Sequence, residues 1–352
     1  MCEKSLNKCN DFKELKVILV GLGVIGKGVL KVIDAKNDDL FKKYGFKISV
    51  VAACDSSGAT INENGIKPLS IIKTKEETGK IVNHDFGVQK NILEVIESVN
   101  ADVVIEVTPT NIETGEPAKS YTLKAFETKK HVVSANKGAL AVAYSELMNS
   151  ADKNDVMFRY EASVGGAMPV INLARESLAG NNIKNIKGIL NGTTNYILTK
   201  MEKEGLDFNT ILKEAQELGI AETNPHQDVS GLDTAAKMVI LANTLLGKDY
   251  TIKDVKLEGI TRITPEALEM ANKSGTTIKL IGEVSNKKLE VCPKLIPIDH
   301  PMNVKGSLNV AMFDTDLAKD VVVIGRGAGD IETSSAILSD LIFIGNSKKC
   351  ND

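Results

Sequence analysis

The stretch Lys16-Val17-Ile18-Leu19-Val20-Gly21-Leu22-Gly23-Val24-Ile25-Gly26 decides how this chain is read. Its first five residues form a short, nearly all-apolar run, as a strand buried on both faces would. The run meets a Gly21-x-Gly23-x-x-Gly26 turn, and an amphipathic segment continues to about residue 40. A second apolar run, 47–54, ends at Asp55. Strand, glycine turn, helix and strand make a βαβ unit. In that setting the first glycine permits a tight turn, and the second lets backbone approach a pyrophosphate. The third allows close helix–strand packing, with the helix N-terminus facing the phosphates. Gly21, Gly23, Val24, Ile25 and Gly26 are therefore candidate dinucleotide contacts. Lifted out of that context, the motif is no more than a glycine-rich turn.

Asp55 stands where an acidic residue bonds the ribose 2′-hydroxyl of NAD. It lies 29 residues beyond Gly26, against a usual spacing of about 20. The charged 36–43 region accommodates the excess by lengthening the helix and its loop. No arginine follows Asp55 closely to meet a 2′-phosphate, which tilts the reading toward NAD, although Lys73 or Lys75 could fold over. The plainer alternative is that Asp55 caps the next turn.

Composition narrows the class. Of 352 residues, 43% are apolar and 25% charged, with a net charge of -3, an ordinary globular balance. No basic tract offers a nucleic-acid footprint. No run approaches the roughly 18 apolar residues of a membrane span, and the polar start is no signal-peptide core. Five scattered cysteines without a C-x-x-C pair fit a reducing cytoplasm. Four histidines, none at zinc-ligand spacing, leave catalysis to Lys, Asp, Glu, Ser or Thr.

Residues 1–14 read as a loose extension. Beyond the βαβ unit, strands are expected at 102–107 and 131–134, with a helix between 117 and 129. Alternating strands and helices imply an α/β fold with a mostly parallel sheet covered on both faces. After about residue 155 the pattern changes. Helices are expected over 208–218 and 232–246, each closed by glycine, and another starts at Thr264-Pro265. An antiparallel hairpin is expected across 277–291. The domains are drawn as 15–155 and an α+β unit over 156–320. The apolar strand, glycine-rich turn and helix of 321–346 are expected to complete the first domain.

Three further segments carry candidate chemistry. Ser134-Ala135-Asn136-Lys137-Gly138 follows a strand, so Lys137 sits at the C-terminal sheet edge, where open α/β sheets bind ligands. Alone, it would read as a solvated lysine. Asp233 and Lys237 are four apart on one helix face, which usually describes a surface ion pair. Their flanks are apolar, however, and a buried lysine loses its charge more readily and can accept a proton. Asn191-Gly192-Thr193-Thr194-Asn195 either lines a polar pocket or forms an Asx-type turn.

Together these segments resemble homoserine dehydrogenase. The resemblance runs from about residue 16 to 344 and is carried by VGLGVIGKG, HVVSANKGALA, YEASVGGAMPVINLARE, NGTTNYIL and GLDTAAK. It implies a Rossmann-type doubly wound sheet with a second α+β domain for substrate binding and dimerisation. It also implies reversible NAD- or NADP-dependent oxidation of L-homoserine to L-aspartate 4-semialdehyde, serving threonine, isoleucine and methionine synthesis. On this resemblance Lys237 is the proton donor and acceptor and Lys137 the second catalytic lysine. Glu222 and Asp233 hold homoserine's polar end, while Thr108, Gly219 and Gly327 are further cofactor contacts. Glu161, with the carbonyls of Val164, Gly166 and Met168, resembles a monovalent-cation site, usually sodium. Oxygen ligands suit such a hard cation.

Asn224-Pro225 stands where many members read Asp-Pro, and Arg326 where many have proline. The first removes a carboxylate near the substrate. The chain's length also implies no C-terminal regulatory domain and no threonine feedback through one. Two rival readings exist: a related dehydrogenase acting on another amino aldehyde, and a nucleotide-sensing protein that has lost chemistry. The Glu222/Asp233 pair argues against the first rival, and the presence of both lysines against the second.

Overall fold

The computed structural model describes residues 13–351, with the side chains of 349–351 excluded. The expected extension, with Cys2 and Cys9, lies almost entirely outside the described residues, as does the Cys350 side chain. Cys54 and Cys292 are free thiols. The chain divides into two compact units, one running to Ala162 and resuming at Asp330, the other Ser163–Gly329.

The first unit is built on β1 (Glu14–Val20), β2 (Lys47–Asp55), β3 (Gly58–Ile61), β4 (Gly87–Val88), β5 (Val103–Glu106), β6 (His131–Ser134) and β7 (Phe158–Arg159). Their order is β4-β3-β2-β1-β5-β6-β7. The five strands from β2 to β7 pair in parallel, and β3 and β4 add an antiparallel edge. Leu15 and Val17 to Val20 are fully buried, as a central strand covered on both faces requires. One layer of the core joins Leu15, Val17 and Leu19 to Val29 and Ile33, and to Ile337, Leu341 and Ile344 of the Asp330–Asn351 helix.

The helix after the glycine turn spans Val24–Tyr44, longer than expected. Lys42 and Lys43 suit its negative C-terminal end, and Gly45, at φ 83, stops it in the left-handed conformation. Asn37 then exchanges two 2.8 Å hydrogen bonds with the Ile48 backbone, tying the lengthened helix to β2.

The second unit carries β8 (Ile183–Ile189), β9 (Lys256–Leu257), β10 (Thr276–Ser285), β11 (Lys288–Pro297), β12 (Leu308–Thr315) and β13 (Asp320–Arg326). Their order is β13-β12-β8-β10-β11-β9, antiparallel except for β9 against β11. The helices Phe208–Glu217, Leu232–Leu246 and Pro265–Lys273 fall where the sequence places them. Gly188 and Gly282 are paired across β8 and β10. A Cβ at Gly282 would meet Met238 Cγ at 2.5 Å, so glycine lets the Leu232–Leu246 helix lie close on the sheet.

The sequence assigned 321–346 as a block to the first domain, and the structure splits it. β13 pairs with β12 along seven residues, Leu308↔Arg326 to Asp314↔Asp320. Only the helix from Asp330 joins the first unit. An apolar strand matches any sheet edge by composition, and here the turn after β12 is short enough to form a hairpin. No helix among the described residues is long and apolar enough to cross a membrane.

Candidate active site

The glycine turn has the geometry of a dinucleotide cradle. Gly21 takes φ 106, and a Cβ there would meet the Val107 carbonyl oxygen at 2.7 Å. A Cβ at Gly26 would lie 2.0 Å from the Gly21 oxygen, whereas Gly23 has nothing within 4 Å. The first and third glycines are thus required by the protein itself, and the second faces open space. Gly23 is the N-cap of the Val24–Tyr44 helix and supplies no side-chain acceptor, leaving the positive helix end available to an anion.

Asp55 ends β2, but its carboxylate is occupied from within the protein. Ser57 donates from its backbone (2.7 Å) and hydroxyl (2.5 Å) to Oδ1. Lys75 Nζ (2.5 Å) and the Ile81 backbone (3.4 Å) donate to Oδ2. Burial works to raise its pKa, but the Lys75 and Ser57 hydrogen bonds outweigh it and hold the carboxyl below its usual value. Lys75 does fold over, from the Pro68–Thr78 helix.

At the next sheet edge, β5 ends in Glu106, which is fully buried. Its carboxylate accepts from the Thr108 backbone (2.9 Å), the Thr108 hydroxyl and the Ser134 hydroxyl (3.2 Å). Burial pushes it up to about 7 against these three lowering hydrogen bonds. Asn136 caps the Lys137–Asn154 helix, its Oδ1 accepting from Gly138 and Ala139. Its Nδ2 donates to the carbonyls of Thr108 (3.1 Å) and Pro109 (3.3 Å). Thr108 and Lys137 therefore belong to one hydrogen-bonded edge. Glu106 was not singled out by sequence. Its only signal is an acid closing an otherwise apolar strand.

In the second unit the Leu232–Leu246 helix buries Lys237. Lys237 Nζ donates to Asp233 Oδ2 (2.7 Å) and the Leu190 carbonyl (2.5 Å). Asn191 Nδ2 bridges Asp233 Oδ2 (2.9 Å) and Asp228 Oδ1 (2.6 Å), while its Oδ1 caps the Gly192–Glu204 helix at Thr194. The Asx-type reading of the Asn191–Asn195 run holds in this cap. Burial raises Asp228 most, opposed by the Asn191 hydrogen bond and assisted by Asp233. Glu222 lies exposed on the loop after the Phe208–Glu217 helix, and its charge is felt at Asp228. Gly219 sits at φ 69 after the Phe208–Glu217 helix. Its neighbour Ile220 accepts from the Thr193 hydroxyl at 3.0 Å.

Two further turns stack within this unit. A Cβ at Gly166 would meet Gly327 backbone at 2.6 Å, and the Ala167 N–H donates to the Arg326 carbonyl at 3.1 Å. Behind them Asn309, 1% exposed, has neither amide atom partnered. Val164, Gly166 and Met168 are buried. Glu161, in the first unit, is also buried, and its backbone N–H donates a 2.9 Å hydrogen bond to Asp340 Oδ2.

A mostly parallel sheet with this glycine turn at the C-terminal end of its central strand, followed by a unit with a buried lysine held by carboxylate and carbonyl, belongs to the dinucleotide-dependent dehydrogenases. Residues 21–161 match the profile of the homoserine dehydrogenase NAD-binding domain, and 169–342 that of homoserine dehydrogenase. The chain is 64% identical to Methanocaldococcus jannaschii homoserine dehydrogenase, covering 95% of itself and all of that protein. It is 38% identical to the NAD(+)-dependent homoserine dehydrogenase of Pseudomonas canavaninivorans, covering 94% and 96%. A hyperthermophilic archaeal homoserine dehydrogenase solved with NADPH superimposes with TM-score 0.82 at 28% identity, covering 94% and 97%. The chain belongs to the homoserine dehydrogenase family and is an NAD(P)-dependent oxidoreductase.

Proposed function

We propose that Lys237 moves the hydroxyl proton of homoserine, with Asp233 and Glu222 holding the substrate's polar end and Lys137 and Thr108 placing the reacting groups. The observation that carries this is the Lys237 ammonium, buried yet bonded to Asp233 Oδ2 and the Leu190 carbonyl. Those two acceptors hold the Nζ in place, and Asn191 keeps Asp233 from rotating away. A bound nicotinamide supplies hydride transfer, which no side chain provides. Lys237 must be neutral to accept a proton. In the reverse direction its ammonium delivers one to the aldehyde oxygen as that oxygen gains charge.

Both NAD and NADP fit the first unit. Asp55 already accepts four hydrogen bonds from within the protein, so a ribose hydroxyl would take the place of Lys75 there, and the displaced Lys75 offers a cation to a 2′-phosphate. Initial rates with homoserine and each cofactor separately test this. Turnover with both is expected, and Lys75→Ala should raise KM for NADP about tenfold with little change for NAD. A strict NADP requirement, with no NAD turnover at millimolar concentration, would overturn it.

A sodium or potassium ion is proposed at Glu161 and the carbonyls of Val164, Gly166 and Met168. The burial of Val164, Gly166 and Met168 and the unpartnered Asn309 amide beside Gly327 support it. Sodium chloride should raise the thermal midpoint more than tetramethylammonium chloride of equal ionic strength, and Glu161→Gln should abolish the difference. Equal effects of the two salts in the unaltered protein would remove the ion.

A homodimer through the second sheet is also proposed. Gly282 faces the Leu232–Leu246 helix, so Ile281 faces away from it. On that face Ile281, Ile189, Val310 and Met312 are already buried with Met302 and Val304 of the same chain, and what remains open to a second copy is the β13 end of the face, half-buried Val322 and Ile324 at 51% exposure. A single-chain mass in sedimentation equilibrium would rule the dimer out.

A further inference from the structure

Every donor onto the Glu106 carboxylate is a neutral group. A buried anion without a cation is costly to keep. Its arrangement shows what it does. Oε1 receives both donors of Thr108, so that hydroxyl's one proton is spent inward and only its lone pairs remain for a ligand. Oε2 receives the Ser134 hydroxyl, whose oxygen accepts from the Asn136 N–H at 3.0 Å. Asn136 closes the ring onto the Thr108 carbonyl and caps the helix that begins at Lys137. A Cβ at Gly138 would meet the Asn111 oxygen at 2.2 Å, so the loop after Thr108 and the start of that helix are locked together.

We propose that Glu106 is a positioning residue for the nicotinamide end: its ionised carboxylate makes the Thr108 hydroxyl an acceptor for a carboxamide N–H and fixes the loop from which Lys137 starts. The inference rests on reading Thr108 and Lys137 as the residues beside the nicotinamide. A protonated Glu106 carries a donor of its own, which releases the Thr108 hydroxyl to turn outward as a donor and mismatches the carboxamide N–H. The ionisable groups sharing these surroundings are Tyr121 on the Ala118–Glu127 helix, Cys54 at the end of β2, and Glu116. Tyr121 and Cys54 are both pushed upward, chiefly by burial, so both stay neutral while Glu106 titrates at about 7.

The test compares NADH, followed by nicotinamide fluorescence, with ADP-ribose, which lacks the nicotinamide, at about pH 6 and about pH 8. In the unaltered protein, NADH affinity should weaken about tenfold at the lower pH and ADP-ribose affinity should not. Glu106→Gln should bind NADH like the low-pH form at both values, and Glu106→Asp should restore part of the pH dependence. A carboxyl raised in the fold contributes stability at low pH that is lost as pH rises from the reference of 4.5 through about 7. The glutamine variant, which carries no such charge, should therefore melt no lower than the unaltered protein at the higher pH. Unchanged NADH binding in Glu106→Gln, equal weakening of NADH and ADP-ribose, or a fall in the melting midpoint would each overturn the positioning role. If Thr108→Val and Lys137→Ala left NADH binding and turnover untouched, the underlying reading of the nicotinamide end would fall instead, and the role of Glu106 with it.

Discussion

Lys237→Ala is expected to lower turnover with homoserine by roughly 10²–10⁴ while NAD(P) affinity stays close to that of the unaltered enzyme. The side chain is 8% exposed, so bulk water cannot readily replace the lost amine. Both acceptors that aim it, Asp233 Oδ2 and the Leu190 carbonyl, belong to the second unit, whereas the glycine turn belongs to the first. The loss should therefore fall on kcat rather than on the cofactor's dissociation constant. Homoserine oxidation releases a proton and needs the neutral amine, so the unaltered enzyme should gain rate toward alkaline pH. Lys237→Arg should also fail, because a guanidinium stays charged throughout that range. Steady-state rates across pH, cofactor fluorescence titration and a melting curve for each variant check this together. Near-normal turnover in Lys237→Ala at every pH would transfer the proton role to Lys137.

What the sequence made legible follows from how local the signal is. The βαβ unit could be read because a buried strand, three glycines and an amphipathic helix lie within thirty residues and constrain one another. The Leu232–Leu246 helix was equally local: apolar flanks around a four-residue Asp–Lys spacing implied burial, and Lys237 is buried. β13 was misplaced because an apolar strand does not name its partner, and its hairpin with β12 depended on a strand that had not been recognised. β3 and β4 were missed for another reason, being four and two residues long, too short to show alternation. The Asp55–Lys75 contact spans twenty residues of chain, and only the Pro68–Thr78 helix brings the two together. Glu106 and Asn309 were invisible since each becomes unusual only once its surroundings are known to be closed.

The three glycines of the turn should fail in different ways, and that difference separates folding from ligand approach. Gly26→Ala places a methyl group 2.0 Å from the Gly21 carbonyl oxygen and 3.0 Å from its carbon. Both are backbone atoms of a turn held by the Gly21 N–H to the Cys54 carbonyl at 3.0 Å, so the helix must shift away from the strand. A drop in stability of at least about 1–3 kcal/mol is expected, the usual cost of overpacking, together with loss of dinucleotide binding. Gly23→Ala meets nothing within 4 Å, and its backbone, at φ -77, suits any residue. Its melting curve should therefore match that of the unaltered protein. Its methyl group would stand where backbone must approach the pyrophosphate. Removing one or two charge-assisted hydrogen bonds there should weaken NAD(P) on the order of 10²-fold. Calorimetric titration and thermal melts of the two variants decide the matter. Tight NAD(P) binding by Gly23→Ala would mean that the phosphates do not lie on this turn, since nothing in the protein itself requires glycine at that position.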